Sequence, residues 1–486
     1  MRRIILGLLL LFFGLAAGGC QSGRALTPTP EPLAAFWERA EPAISQRRYG
    51  DAVEILEQAA SLYPADPAAL LKIGQIYLSQ QRWLLAEDAF NRALSRAGPS
   101  ALARAGLAEA LLNQGRAGEA LDFWRQAAGL DPQVPGVFSG LGRTYLALFD
   151  VGAAEAAFSN QLEQRPDFAA HWYLAALQAP ADLEAAREHL AAIPDPSESG
   201  ESPPAALLSQ RDYLRATLAP FSKQSPPAGV AKASGIALAQ IGLWPLASHA
   251  LEVATAQTPA DAEALAFLAY ARSQAGQPAL ALFDQAGQAD PNSALPLYLR
   301  GIYLRQQGVL RAAEAILAQA GQLDPENAAI YVELARVAEQ QGNLVEAEDY
   351  YRQAAELAPD ELEFTMLLLR FYANRNYNTK AVAIPLAERL AAVYEDNAEL
   401  YDLLGWMQFL AGDPTQGETA LRQALTLDPS LISARYHLAR YLEANGFLVE
   451  AGAEYQKVID WETSGPFRDL ALKDLQRLAV RGVMTN

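Results

Sequence analysis

Between Asp324 and Pro359 the apolar residues Tyr331, Leu334, Ala335 and Ala338 fall at i, i+3, i+4 and i+7, the spacing that puts one apolar stripe on a helix. Gly342 and Asn343 follow, and both tolerate positive φ, so the first helix is predicted to end there in a turn. A second helix is predicted from the recurrence of Ala347, Tyr351 and Ala354. Pro359 stops it, because proline has no N–H to donate and clashes with the preceding turn.

This helix-turn-helix pattern recurs along the chain. Residues that close a unit occur at Pro64, Gly98, Pro132 and Pro166, each 34 positions after the last. Ten positions after each comes a small residue, Gly74, Ala108, Gly142 or Ala176, where a larger side chain would push two crossing helices apart at a cost of about 1–3 kcal/mol. The second helices carry Ala86 with Phe90, Ala120 with Trp124, and Ala154 with Phe158. A fifth unit is cut short and closes at Pro194, where the phasing is lost. Two Pro- and Ser-rich stretches then flank an amphipathic segment from Ala205 to Leu218, expected to plug one array or bridge to the next. Phasing returns near Ala228, with closing positions Pro259, Pro291, Pro325, Pro359, Glu395 and Pro429. The small crossing residue is present throughout except at Leu369, in a 36-residue unit that also holds Pro385, so a kink or altered crossing is expected there. Phe467 to Arg481 is predicted to be a capping helix with its charged residues outward.

The series Tyr331, Leu334, Ala335, Ala338, Ala347, Tyr351, Ala354 and Pro359 resembles the tetratricopeptide repeat (TPR), a helix pair of about 34 residues. Ala338 departs from it, standing where that family usually has a larger residue. The resemblance implies an all-α, TPR-type α-solenoid: a right-handed superhelix of about 11–12 repeats in two arrays, with the first helix of each repeat lining the concave side. The expected organisation is a signal peptide over 1–19, a flexible tether over 20–32, a first array over 33–196 with its last repeat degenerate, a linker with one helix over 197–227, a second array over 228–464, and a cap and tail over 465–486.

Composition adds compartment. Arg2 and Arg3 precede an apolar run from Ile4 to Ala17, and Gly18 and Gly19 lead into Cys20, which reads as an export signal with its cleavage site. The segment is similar to a bacterial lipoprotein signal, which implies acylation of Cys20, although Ala17 stands where that signal usually has a larger apolar residue. A signal cut without lipidation and an uncleaved anchor remain alternatives. The expected location is the cell envelope, with a lipid anchor on the extracytoplasmic side and protein or peptide partners there. The formal net charge of -18 argues against nucleic acid as main partner.

Candidate chemistry is sparse. The sequence contains no GxSxG, HExxH, GxxxxGK[ST] or CxxC pattern, and the reading is of a scaffold without catalytic residues, metal or cofactor. Cys20 is the only cysteine, and His171, His189, His249 and His437 stand far apart in sequence, so all four are expected to be ordinary helix residues. Gly140-Leu141-Gly142 resembles the start of a dinucleotide loop but falls inside a first helix, where packing explains it. The family resemblance puts Tyr270, Tyr298, Arg305, Arg336, Arg370, Trp406, Tyr436 and Arg440 on or near the concave face of the second array. Aromatic and arginine side chains are favoured at binding hot spots, so this face is the candidate groove for a protein partner. Glycan or small-molecule binding in the same groove is the alternative, as is internal neutralisation of the arginines by Glu333, Glu339, Asp402 and Glu443.

Overall fold

A computed structural model describes residues 31–196, 203–462 and 465–480. The export signal, Cys20 and most of the tether lie outside the described residues, as do 197–202 at the start of the linker, 463–464, and 481–486 in the tail. All described regular structure is helical.

Five antiparallel helix pairs come first: α1 (Leu33–Ser45) with α2 (Tyr49–Leu62), α3 (Ala68–Ser79) with α4 (Trp83–Ala97), α5 (Ala101–Asn113) with α6 (Ala117–Leu130), α7 (Val137–Ala147) with α8 (Val151–Gln164), and α9 (Phe168–Gln178) with the short α10 (Leu183–Ala191). A single helix, α11 (Ala205–Leu218), follows. Seven further pairs run from α12 (Pro227–Gln240) and α13 (Trp244–Gln257) through α14 (Ala262–Gln274), α15 (Leu280–Ala289), α16 (Ala294–Gln306), α17 (Leu310–Leu323), α18 (Ala328–Gln341) and α19 (Leu344–Leu357). They continue with α20 (Leu362–Arg375), a π-helical turn (Thr379–Ala383), α21 (Ile384–Ala391), α22 (Ala398–Leu410), α23 (Pro414–Leu427), α24 (Ile432–Ala444) and α25 (Leu448–Trp461). Helix α26 (Pro466–Val480) closes the described chain. The fold is an α-solenoid.

The unit read from the sequence forms as the stripe dictates. The Asn327 side chain accepts from the Ala329 N–H to start α18, and Gly342 ends it at φ 83°. Ala335, Ala338, Ala347, Tyr351 and Ala354 are buried between α18, α19 and the next pair. Each pair exposes its apolar side until a neighbour covers it, so the core runs on from unit to unit.

The two arrays share a core across the linker. Phe158 and Trp172 of the first array, Leu214 and Leu218 of α11, and Leu251 and Leu268 of the second array belong to one buried apolar cluster. Arg211 falls in the apolar phase of α11 and is buried; it donates to the Ile193 carbonyl and to the carboxylates of Asp195 and Asp212, tying α11 to the chain just after α10. The irregular unit is altered as its sequence implied. Leu369 is fully buried where other units carry Gly or Ala, and α20 packs on the π-helical turn that precedes Pro385.

The cap departs from expectation. Asp474 of α26 faces inward and is buried, accepting from the Tyr436 hydroxyl at 3.0 Å and pairing with Arg477 at 2.8 Å.

Candidate functional site

The first array carries a groove among its first helices. A groove of about 620 Å³ runs across α3, α5, α7 and the start of α9. Its walls are Leu71, Gln75, Leu102, Ser139, Arg143 and Tyr173, and the rings of Phe90 and Trp124 reach it from the second-helix layer. Two glycines make this floor. A Cβ on Gly106 would stand 2.3 Å from Phe90, and one on Gly140 the same distance from Trp124. These two positions are 34 residues apart, so one glycine in each of two successive units lets a large ring slide beneath a first helix. Gly142, the other half of the Gly-Leu-Gly string, lies against Phe158, which bears out its packing role.

Polar groups are few and fixed. Arg143 donates to Glu109, and although burial opposes its charge, Glu109, Tyr173 and Asp167 together raise the guanidinium above its ordinary range. The Tyr173 ring stacks on Phe158 at 4.5 Å with 7° between planes, and burial pushes its hydroxyl up. The Trp124 indole N–H is buried without a partner among the described residues. A smaller cavity of about 200 Å³ continues from Arg143 and Tyr173 to Leu243, Pro245 and Leu246 of the second array.

The second array's candidate residues are tied to one another. Arg305 and Arg336 share the buried carboxylate of Glu333, with Arg305 Nε at 2.7 Å and Arg336 Nη1 at 2.5 Å. Tyr270 and Tyr298 are half-buried in the same region; burial first and Glu333 second push their hydroxyls up, that of Tyr298 to about 12. Arg370 is forked on Glu399 at 2.8 and 2.9 Å and also reaches Glu363 at 2.8 Å. Trp406 stacks on His437 at 4.4 Å and 12°, so one of its faces is covered. Tyr436 is a core residue, and Arg440 bonds its hydroxyl at 3.1 Å and approaches Asp474 at 3.7 Å. The structure thus brings seven of the eight residues into three local groups, around Glu333 (Tyr270, Tyr298, Arg305, Arg336), Glu399 (Arg370) and Asp474 (Tyr436, Arg440), and sets Trp406 against His437. Of the carboxylates expected to neutralise them, Glu333 does so. Glu339 takes Arg375 and the Tyr351 hydroxyl, Glu443 takes Arg477, and Asp402 takes His437.

Sequence reading missed the first-array groove, whose signal was the recurrence of Gly106 and Gly140, each 16 residues after the large aromatic it packs on, Phe90 and Trp124. It also set the histidines apart, whereas the α9–α10 hairpin brings His171 and His189 together. Among the described residues, no group of three or more His, Cys, Asp or Glu side chains is placed to hold a metal ion. None of the described helices is long and apolar enough to cross a membrane.

Two tetratricopeptide-repeat family models match the chain, one at residues 38–101, 86–135 and 411–467 and the other at 304–371. No curated protein matches it. Among solved structures it is similar to yeast Tom70, 15% identical over 93% of this chain and 96% of that one, with a TM-score of 0.42. The Cut9-Hcn1 hetero-tetramer of the APC/C is 15% identical over 85% of this chain and 96% of that one, with a TM-score of 0.36. YrrB, described as a TPR protein with an unusual peptide-binding site, is 19% identical over 39% of this chain and 97% of that one, with a TM-score of 0.29.

Proposed function

We propose that this chain, which carries tetratricopeptide repeats, is a protein-binding scaffold whose ligand is an extended peptide segment laid in the concave groove of the first array. One observation carries this reading: the groove of about 620 Å³ with an aromatic floor at Phe90 and Trp124 and a few polar side chains, Gln75, Glu109, Ser139, Arg143 and Tyr173, to orient a backbone. Pockets of this kind suit an apolar anchor side chain fixed by a few polar contacts. The arginines of the second array are engaged by carboxylates of the same chain, which supports the first array as the anchor site.

The test is peptide selection on the full chain, with the selected sequences measured on variants. Leu102→Glu places a charge on the exposed wall, and Ser139→Trp fills the groove; each is expected to weaken binding at least tenfold. Unchanged affinity in both, with loss in Arg336→Ala, would move the site to the second array and refute this reading.

The scaffold is further proposed to work in the cell envelope, tethered by a lipid on Cys20, in the assembly of secretion, pilus or polysaccharide-export machinery. The charged, apolar and small-residue order of Arg2-Arg3, Ile4 to Ala17 and Gly18-Gly19-Cys20 supports the location. Cys20→Ser should shift the protein from the membrane to the soluble fraction. An unshifted distribution would sink the anchor.

A further inference from the structure

The floor of the first-array groove repeats with the units. The Phe90 ring lies between two first helices, where a Cβ on Gly74 of α3 would stand 2.6 Å from it and one on Gly106 of α5 would stand 2.3 Å from it. Trp124 lies in the same way against Gly140 of α7, one unit further on. In the next unit Tyr173 of α9 stacks on Phe158 and covers it. Two aromatic seats therefore line the groove, and because α5 packs against both α3 and α7, they are one helix spacing apart, about 8–10 Å. Resting on the groove reading above, we propose that the ligand is a peptide in the left-handed polyproline II conformation, with a proline or other apolar residue at every third position to fill the two seats.

Spacing selects the conformation. Polyproline II turns once in three residues of about 3.1 Å each, so residues i and i+3 share a face about 9.3 Å apart. A β-strand puts residues of one face about 6.6 Å or about 13 Å apart, short of the second seat or beyond it. An α-helix comes near only after two turns, about 10.8 Å, and is about 10–12 Å wide.

Hydrogen bonding selects it again. The Glu109 carboxylate already accepts from Arg143 and, at 3.0 Å, from the Asn113 amide, and the Ser139 hydroxyl donates to Asp167 at 2.9 Å. What the groove still offers is donors, since the Arg143 guanidinium has five N–H groups and hydrogen-bonds only to Glu109 among the described residues. Prolines carry carbonyls and no N–H, and polyproline II makes no internal hydrogen bonds, so its carbonyls are free to accept. A strand would bring N–H groups that need acceptors, and an α-helix has already bonded its carbonyls to itself. The charged residues lining the groove, Glu109 and Arg143, pair with each other, which removes the attraction for an acidic peptide.

The experiment is fluorescence anisotropy of labelled peptides on the full chain: Pro-Pro-Leu repeated three times, an isomer of the same composition with its leucines at alternate positions, and a version with every proline replaced by alanine. The first should bind at least tenfold more tightly than the other two, and Leu102→Glu and Ser139→Trp should each weaken it at least tenfold. The comparison of peptides is made on the unvaried chain and does not depend on the variants folding. If the first peptide binds no better than its isomer, while other selected peptides are lost in Leu102→Glu and Ser139→Trp, the groove stands and the polyproline ligand is overturned. If the first peptide binds both variants as tightly as the unvaried chain, the groove is not its site and both readings fall.

Discussion

Glu333 shows at the scale of a single residue how the second array's candidate arginines are engaged within the chain. Its carboxylate is buried and accepts from Arg305 and Arg336, whose side chains are 14% and 40% exposed. The two arginines are therefore not equivalent. Arg305 depends on Glu333 for its only charge partner within the unit pair, and removing that carboxylate strands a largely desolvated guanidinium. Glu333→Ala is expected to cost about 3–5 kcal/mol. Arg336→Ala removes an exposed partner and leaves Arg305 in place, so it should cost no more than about 1 kcal/mol. Long repeat arrays need not unfold in one step, so the measurement is native-state hydrogen exchange across α16 to α18. Equal loss of protection in the two variants would show that Glu333 is not the pivot. The sequence named all three residues and even offered their mutual neutralisation. It could not choose, because the choice depends on Arg305 and Glu333, 28 positions apart, meeting across two units.

At the scale of elements, the apolar stripe and the closing residues were sufficient where each helix packs only on its nearest neighbours. Helix α11 spans Ala205–Leu218 as its amphipathic pattern required, and the unit holding Leu369 and Pro385 is distorted by a π-helical turn. What the pattern hid was the polar residue that faces inward with a partner. Arg211 sits in the apolar phase of α11 yet is satisfied by a carbonyl and two carboxylates, and Asp474 on the cap is buried because Tyr436, Arg440 and Arg477 converge on it. Periodicity counts such a residue as an interruption or as surface; only the neighbouring unit reveals it as a tie. The same limit hid the groove. Gly106 and Gly140 read as weak helix formers until Phe90 and Trp124 are seen beneath them, each supplied by the second helix of the preceding unit.

At the scale of the whole molecule, the solenoid curls far enough for its last unit to meet its second. Arg82, Trp83 and Leu84 at the α3–α4 turn and Gly465, Arg468 and Asp469 at the cap line one cleft of about 570 Å³. The charges that face each other there are alike. Arg468 is held below the ordinary guanidinium range by burial and then by Arg82, and Asp460 is pushed up by burial with Asp51 adding to it. Glu462 is also pushed up, by burial and then by Asp469. A seam of like charges is a weak closure that responds to solution conditions. Burial raises the carboxyl pKa of Asp460 above its ordinary 3.8 and Asp51, across the seam, adds to it, so to the extent of the Asp51 contribution the closed form binds the proton more tightly than the open one. Closure therefore strengthens as pH falls from neutral through the raised value, and the gain is complete below the ordinary one. Salt acts in the same direction by screening both repulsions. Spin labels on Leu84→Cys and Asp469→Cys, in a chain carrying Cys20→Ser, give the distance across the seam. Its distribution is expected to shorten and narrow as pH falls from neutral to below the ordinary carboxyl value of 3.8, and Asp460→Asn should remove most of that dependence. A distribution that does not change with pH would overturn this reading of the seam.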